Sequence, residues 1–267
     1  MTVSPSPTYI ALLGKRDFPT DGVIDYCQWL QVALAAQGAD LKTYECRWAE
    51  LGWWSALRQL WEDSRAWRGT WVIVQYVAFS WSHTGVPLGL LIVLGMLRQR
   101  QTRLAIIFHD TQGFPGQRRR DRLRRWLQHG LMHLLHNWSD RTILTIPPTI
   151  TPWLPPRPSA KVVQIPVGSN VPEPKDPSLV KGMRSPTQPL VAVFGITGGA
   201  NGLREISDIA YAVRQTLKHV PDLHLLIMGR GSDDAEADIR AAFQDIDVKL
   251  TILGLLAPDD VSHYLQR

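Results

Sequence analysis

Short apolar runs alternate along this chain with longer segments whose apolar residues recur at helical spacing. Tyr9–Leu13 predicts a strand, followed by a loop over Lys15–Gly22 and a helix over Val23–Gln37. In that helix Tyr26, Trp29, Leu30, Ala33 and Leu34 fall at helical spacing. Leu41–Tyr44 predicts a short strand and Leu51–Arg65 a helix. Trp71–Phe79 is nearly all apolar, as expected of a parallel strand covered on both faces. Leu88–Arg100 has helical length and ends in basic residues, which suits a helix C-terminus. Arg103–Phe108 predicts another buried strand, ending at His109 and Asp110. Leu123, Trp126, Leu127, Leu131, Leu134 and Leu135 mark one face of a further helix, and Thr142–Ile146 and Val162–Ile165 add strands.

The alternation resumes after a proline-rich stretch. Leu190–Phe194 predicts a strand, and Leu203–Leu217 a helix with Leu203, Ile206, Ile209, Ala210, Val213 and Leu217 facing inward. Leu223–Met228 and Val248–Leu253 predict strands around a helix at Asp234–Phe243. Pro258 suits the first turn of a last helix, Asp259–Gln266. Strands alternating with amphipathic helices predict an α/β fold on parallel sheets. All eleven tryptophans lie between Trp29 and Trp153. This change in core chemistry, together with the prolines, divides the chain into an N-terminal domain at 1–180 and a C-terminal one at 181–267.

Composition narrows the class. With 45% hydrophobic and 20% charged residues, the chain reads as an ordinary globular protein. Two cysteines are too few for a disulfide scaffold and lack metal-site spacing, so a reducing cytoplasm is the expected setting. The N-terminus has no secretory pattern, and the longest apolar stretch, Val86–Leu97, falls short of the roughly 20 residues that span a bilayer. Lysines and arginines exceed acids by 29 to 24, and much of that excess is Arg118, Arg119, Arg120, Arg122, Arg124 and Arg125. Three readings apply to this cluster: a solvated helix start, a nucleic-acid contact, or a basic amphipathic helix on an anionic membrane surface. The last fits Trp126 and the neighbouring leucines, whereas no stacking pattern supports nucleic acid. His129, His133 and His136 also share helical spacing there, a row that is not by itself a metal site.

Candidate chemistry gathers where strands end. Gly198, Gly199, Asn201 and Gly202 follow the strand at Leu190–Phe194, with Arg204 just beyond. They read either as a tight turn or as a loop whose N–H groups meet an anionic or sugar ligand. Arg230 and Gly231 follow the next strand, and Gly254 and Leu255 the third. Arg230 reads as a diphosphate ligand or a solvated turn residue. In the first domain Gly22 follows the first strand, and His109–Asp110 ends a buried one. His109 can orient or deprotonate a hydroxyl, or be a buried histidine satisfied by a carbonyl. His83 is a weaker candidate. Neither a Walker A loop, a GxGxxG fingerprint, a GxSxG elbow nor an HExxH zinc motif is present.

Taken together, DGVIDYCQWLQVALAAQG, AIIFHD, VVQIPVGSNVP, VAVFGI, LHLLIMGRGS and VKLTILGLLAPDDVSHYLQR resemble the GT-B glycosyltransferases. The likeness is greatest to the large retaining group (family 4, group 1) that uses nucleotide-sugar donors. The resemblance implies two Rossmann-like domains facing across a cleft, the first for the acceptor and the second for the donor. It implies transfer of a hexosyl group from a nucleotide diphosphate sugar to a hydroxyl of a polysaccharide, glycolipid or small molecule, with no metal and no cofactor. His109 and Asp110 would meet sugar and acceptor, and Gly22 would approach the donor phosphates. Gly198, Gly199, Asn201, Gly202 and Arg204 would form the first donor loop, Arg230 and Gly231 the second, and Gly254 and Leu255 would approach the base. The pattern departs where the family places an arginine and a lysine beside the diphosphate, since Asn201 holds the lysine position. The family's acidic pair and later strands have no counterpart before Arg267. The resemblance therefore implies a C-terminally truncated second domain, a complementing polypeptide, or a non-catalytic sugar- or nucleotide-binding protein.

Overall fold

The computed structural model describes residues 7–16, 21–168, 171, 188–196 and 199–265. The chain divides into two compact units, Met1–Asn170 and Val171–Arg267. The expected boundary at 180/181, Gly198 and part of the loop before Gly22 lie outside the described residues.

Unit 1 carries a six-stranded parallel sheet in the order β2-β1-β3-β4-β5-β6. Its strands are β1 (Thr8–Leu13), β2 (Asp40–Glu45), β3 (Trp71–Tyr76), β4 (Arg103–Phe108), β5 (Arg141–Leu144) and β6 (Val162–Gln164). The connecting helices are α1 (Gly22–Ala36), α2 (Trp48–Asp63), α3 (Gly89–Gln99) and α4 (Arg119–Trp138). Strand alternation sends Ile10 and Leu12 into the large core under α2, α3 and α4, while Ala11 and Leu13 pack against α1. Both faces of β1, β3 and β4 are thus covered, which accounts for their apolar runs. The order reverses between β1 and β3, where β1 pairs with β2 on one side and β3 on the other. Open α/β sheets bind ligands beyond the strand C-termini at such a point.

Unit 2 holds β7 (Leu190–Phe194), β8 (His224–Met228) and β9 (Lys249–Ile252) in the parallel order β7-β8-β9. Its helices are α5 (Gly199–Thr216), α6 (Glu236–Ala242) and α7 (Pro258–Leu265). Ile206, Ala210 and Val213 of α5 and Ile239 of α6 cover one face of the sheet, and Val261 of α7 covers the other.

Several expected details change. The strand predicted at Trp71–Phe79 ends at Tyr76, and a single tight turn at Ala78–Ser80 follows. Helix α2 starts at Trp48 and is broken at Gly52, whose φ of 74° no helix accommodates. In α1 the buried edge runs through Cys27, leaving Trp29 and Ala33 exposed. Leu203, expected to face inward, is exposed. The correction in α4 is larger: Leu131 and Leu135 are buried, but Leu123, Trp126 and Leu127 lie on its outer face.

Candidate functional site

The C-terminal rim of unit 1 is held by three tryptophans. Each indole N–H donates to a backbone carbonyl near a strand end: Trp48 to Ser80 at 2.8 Å, Trp81 to Gln75 at 2.8 Å and Trp153 to Thr111 at 3.1 Å. A buried indole must place its N–H on an acceptor, so these rings anchor the loops after β3 and β4 as well as filling the core. His83 meets the Trp48 ring edgewise at 4.8 Å and belongs to this packing.

Gly14 brings the loop after β1 against the same rim. A Cβ there would collide with the Ser80 carbonyl, to which the Lys15 N–H donates at 2.6 Å. Gly22, by contrast, is the first residue of α1, where a Cβ would meet nothing within 4 Å. The helix start belongs to Asp21, whose carboxylate accepts from the N–H groups of Val23 and Ile24 at 3.0 and 3.3 Å.

His109 follows β4, half-buried, with its Nε2 2.8 Å from Gln75 Oε1 and its ring edge-on to Tyr26 at 5.1 Å. An amide oxygen only accepts, so the neutral ring carries its proton on Nε2 and leaves Nδ1 as an acceptor. Burial pushes the His109 pKa down to about 4, against a smaller upward pull from Asp21. Gln75 Nε2, beside it, and Tyr76 OH, which strand alternation sends to the opposite face with Phe108, are buried donors without a partner among the described residues. Each such group costs about 1–3 kcal/mol. Burial, then the charge of Asp110, pushes the Tyr76 hydroxyl upward, so it stays protonated. Neither Gln75 nor Tyr76 stood out in the sequence. The available signal was a glutamine inside an otherwise apolar strand, which burial obliges to find a partner.

His136 is likewise held down to about 4, by burial and then by Lys161 and His133. A histidine depressed in the fold contributes stability that is complete above its unfolded value near 6.5 and disappears as pH falls toward 4. Acidifying from pH 7 to 4.5 should therefore lower the stability of unit 1 by about 2–3 kcal/mol per histidine. The urea midpoint of tryptophan fluorescence measures this, and a midpoint that does not move with pH would contradict it.

In unit 2 three strand ends are tied into one rim. The Gly195 N–H donates to Met228 O at 2.7 Å, Ile196 N–H to Arg230 O at 2.9 Å and Gly229 N–H to Gly254 O at 3.0 Å. The buried Ser232 hydroxyl lies 2.6 Å from Gly229 O and 2.7 Å from Leu253 O. Gly231 has φ +77°, and a Cβ on it would lie 2.5 Å from Ile196 O. Gly254 lies against the Asp233 carboxylate, Leu255 is exposed beside it, and Arg230 is exposed at the rim. Gly199, Asn201 and Gly202 form the first turn of α5, so the expected loop is already helix there. Arg204 is exposed one turn on. A groove of about 470 Å³ runs between α5 and α6, lined by Leu203, Tyr211 and Asp238 among others, and takes no lining from this rim.

The arginines occupy the start of α4. Arg125 donates to Gly116 O at 2.8 Å, and the Arg124 guanidinium lies 4.5 Å from the Phe114 ring centre. Arg118, Arg119, Arg120 and Arg122 are exposed. His129, His133 and His136 meet three separate partners, Gln112 O, Trp153 O and Thr142 Oγ1. No metal-ligating cluster occurs among the described residues, nor is any helix there long and apolar enough to cross a membrane.

No family model matches the sequence, and no curated protein sequence matches it. Among solved structures, the chain is similar to HepE of Anabaena in complex with UDP and glucose. The TM-score is 0.56 at 12% identity, over 96% of this chain and 72% of HepE. A UDP-N-acetylglucosamine 2-epimerase aligns with a TM-score of 0.49 at 9% identity, over 98% of this chain and 71% of its own. The GtfA/B complex aligns with a TM-score of 0.43 at 15% identity, over 76% of this chain and 37% of that one. With its parallel sheets and its likeness to HepE, the chain is an α/β protein with a GT-B-like pair of Rossmann-like units.

Proposed function

We propose that the chain transfers a hexosyl group from a nucleotide diphosphate sugar to a hydroxyl acceptor, with unit 2 holding the donor and His109 meeting the acceptor. The observation that carries this reading is the knitted glycine rim of unit 2 at the start of α5. The rim's own N–H groups are held by backbone carbonyls, so it is the N–H groups of the first turn of α5, at the positive end of that helix, that suit a diphosphate. The UDP and glucose in the HepE crystal support the same ligand class for this fold.

On this reading the diphosphate meets Gly198, Gly199, Asn201 and Gly202, and the base meets Gly254 and Leu255. Arg204 and Arg230 supply positive charge where Asn201 offers none. In the reaction the bond from the sugar's anomeric carbon to the diphosphate oxygen breaks, and one to the acceptor oxygen forms. A histidine with a pKa near 4 is a weak base at pH 7. His109 therefore orients the hydroxyl through Nδ1, and the proton goes to the departing diphosphate. The reaction uses no cofactor beyond the donor and draws on the cytoplasmic pool of nucleotide sugars.

Calorimetric titration with UDP, GDP and ADP tests the donor site. One of the three should bind with a Kd of about 10–500 μM. Gly231→Val should abolish binding, and Arg230→Gln, at an exposed position, should weaken it about tenfold with the fold intact. Absence of heat with all three nucleotides at about 5 mM would remove the donor site from this chain.

A further inference from the structure

Helix α4 has two halves with opposite surroundings. From Gln128 onward its inner residues, Leu131, Met132, Leu135 and His136, are buried. In the first half Leu123, Trp126 and Leu127 are 58%, 69% and 41% exposed. Their spacing places them on one face, which continues through exposed Gly130 to half-buried Leu134 and points away from buried Gln128 and Met132.

The arginines divide along the same line. Arg124 and Arg125 turn to the loop at Phe114 and Gly116. Arg119, Arg120 and Arg122 stay exposed around the apolar face, and among the described residues only Arg120 approaches an acid, Asp121, at 3.9 Å. A Cβ on Gly85 would lie 3.0 Å from the Phe79 ring and 3.2 Å from Gln128 Nε2. Phe79, 49% exposed, therefore lies near Gln128, where the buried half of the helix begins.

A single exposed leucine is ordinary, but an outer face of two leucines and a tryptophan inside a ring of arginines is not. Nucleic acid would engage the arginines and leave the leucines in water. A bilayer interface takes both, with the apolar side chains below the headgroups and the guanidinium groups on lipid phosphates.

We propose that the N-terminal half of α4 docks on an anionic lipid bilayer, inserting Leu123, Trp126 and Leu127 and placing Arg119, Arg120 and Arg122 on the lipid phosphates. This surface is independent of the sugar-transfer reading, and either can fail alone.

The full chain is sedimented with vesicles of phosphatidylcholine, with and without about 30% phosphatidylglycerol. It should bind the anionic vesicles and release from them at high salt. Arg119→Gln/Arg120→Gln/Arg122→Gln should lower the partition coefficient about 100-fold. Leu123→Ser/Trp126→Ser/Leu127→Ser should lower it at least tenfold with the charge unchanged. Brominated acyl chains should quench the wild type more than Trp126→Phe. No binding to anionic vesicles would overturn the proposal, as would undiminished binding by the serine variant. Tighter binding to duplex DNA, lost with the glutamines and kept with the serines, would assign the arginines to nucleic acid instead. All six substituted side chains are exposed, and far-UV circular dichroism confirms that each variant folds.

Discussion

Adding one methyl group at Gly14 is expected to destabilise unit 1 by about 3 kcal/mol or more. The new Cβ would press into the Ser80 carbonyl and lie 2.9 Å from Cδ2 of Trp81. Neither neighbour can yield easily. Ser80 O already accepts from Lys15 N–H at 2.6 Å and from the Trp48 indole at 2.8 Å. Trp81 is fully buried and donates to Gln75 O at 2.8 Å. The clash must then be relieved by moving backbone at the ends of β1 and β3, the strands that flank the reversal in strand order. All eleven tryptophans belong to unit 1, so their fluorescence in a urea titration reports this unit alone. The midpoint should fall at constant slope. Gly22→Ala is the control: with open space around the site, it should change stability by less than about 1 kcal/mol. A loss below about 1 kcal/mol in Gly14→Ala would show a rim slack enough to take the extra volume.

These two glycines also show what the sequence could reveal. Gly22 drew attention because it precedes a helix, and local pattern announces that. The constraint on Gly14 comes from Ser80 and Trp81, which the sheet brings beside it from another strand. Arg103–Phe108 was legible because burial on both faces demands uninterrupted apolar residues, and it matches its predicted limits. Leu190–Phe194 also matches its limits, although Val191, Ala192 and Phe194 are exposed. The glycine rim of unit 2 was legible for a related reason, since strand ends followed by glycine recur three times. Its knitting by backbone hydrogen bonds leaves no trace in side-chain identity.

Helix α4 marks the limit of periodicity. Apolar spacing reveals a stripe but not which way the sheet lies, and α4 has two apolar arcs. Leu131 and Leu135 cover the sheet, while Leu123, Trp126 and Leu127 face outward. Helix α5 begins at Gly199 although glycine and asparagine disfavour helix, so local propensity is overridden there.

Gln75→Glu should raise the His109 pKa from about 4 by at least 2 units. In the native protein burial removes water from the ring, and the neutral Gln75 oxygen 2.8 Å from Nε2 carries no net charge to offset the lost solvation of a positive charge. A carboxylate at that distance does offset it, because an opposite charge in a poorly solvated site favours the imidazolium. Gln75→Leu, similar in size and uncharged, should leave the ring depressed. The linkage changes accordingly. The native His109 withdraws its stability as pH falls from 6.5 toward 4, whereas a ring raised to 6 or above withdraws little of it over that range. Proton NMR of the His109 ring Cε1–H, assigned by its absence in His109→Gln, measures the titration directly. If the glutamate and leucine variants titrate alike, Gln75 does not control the ring. If only the glutamate variant moves, the proton sits between Nε2 and residue 75 and Nδ1 is the face offered to a ligand. Sugar transfer should then slow about 10–100-fold in Gln75→Glu below the raised pKa, because an imidazolium donates where the acceptor hydroxyl needs a partner that accepts.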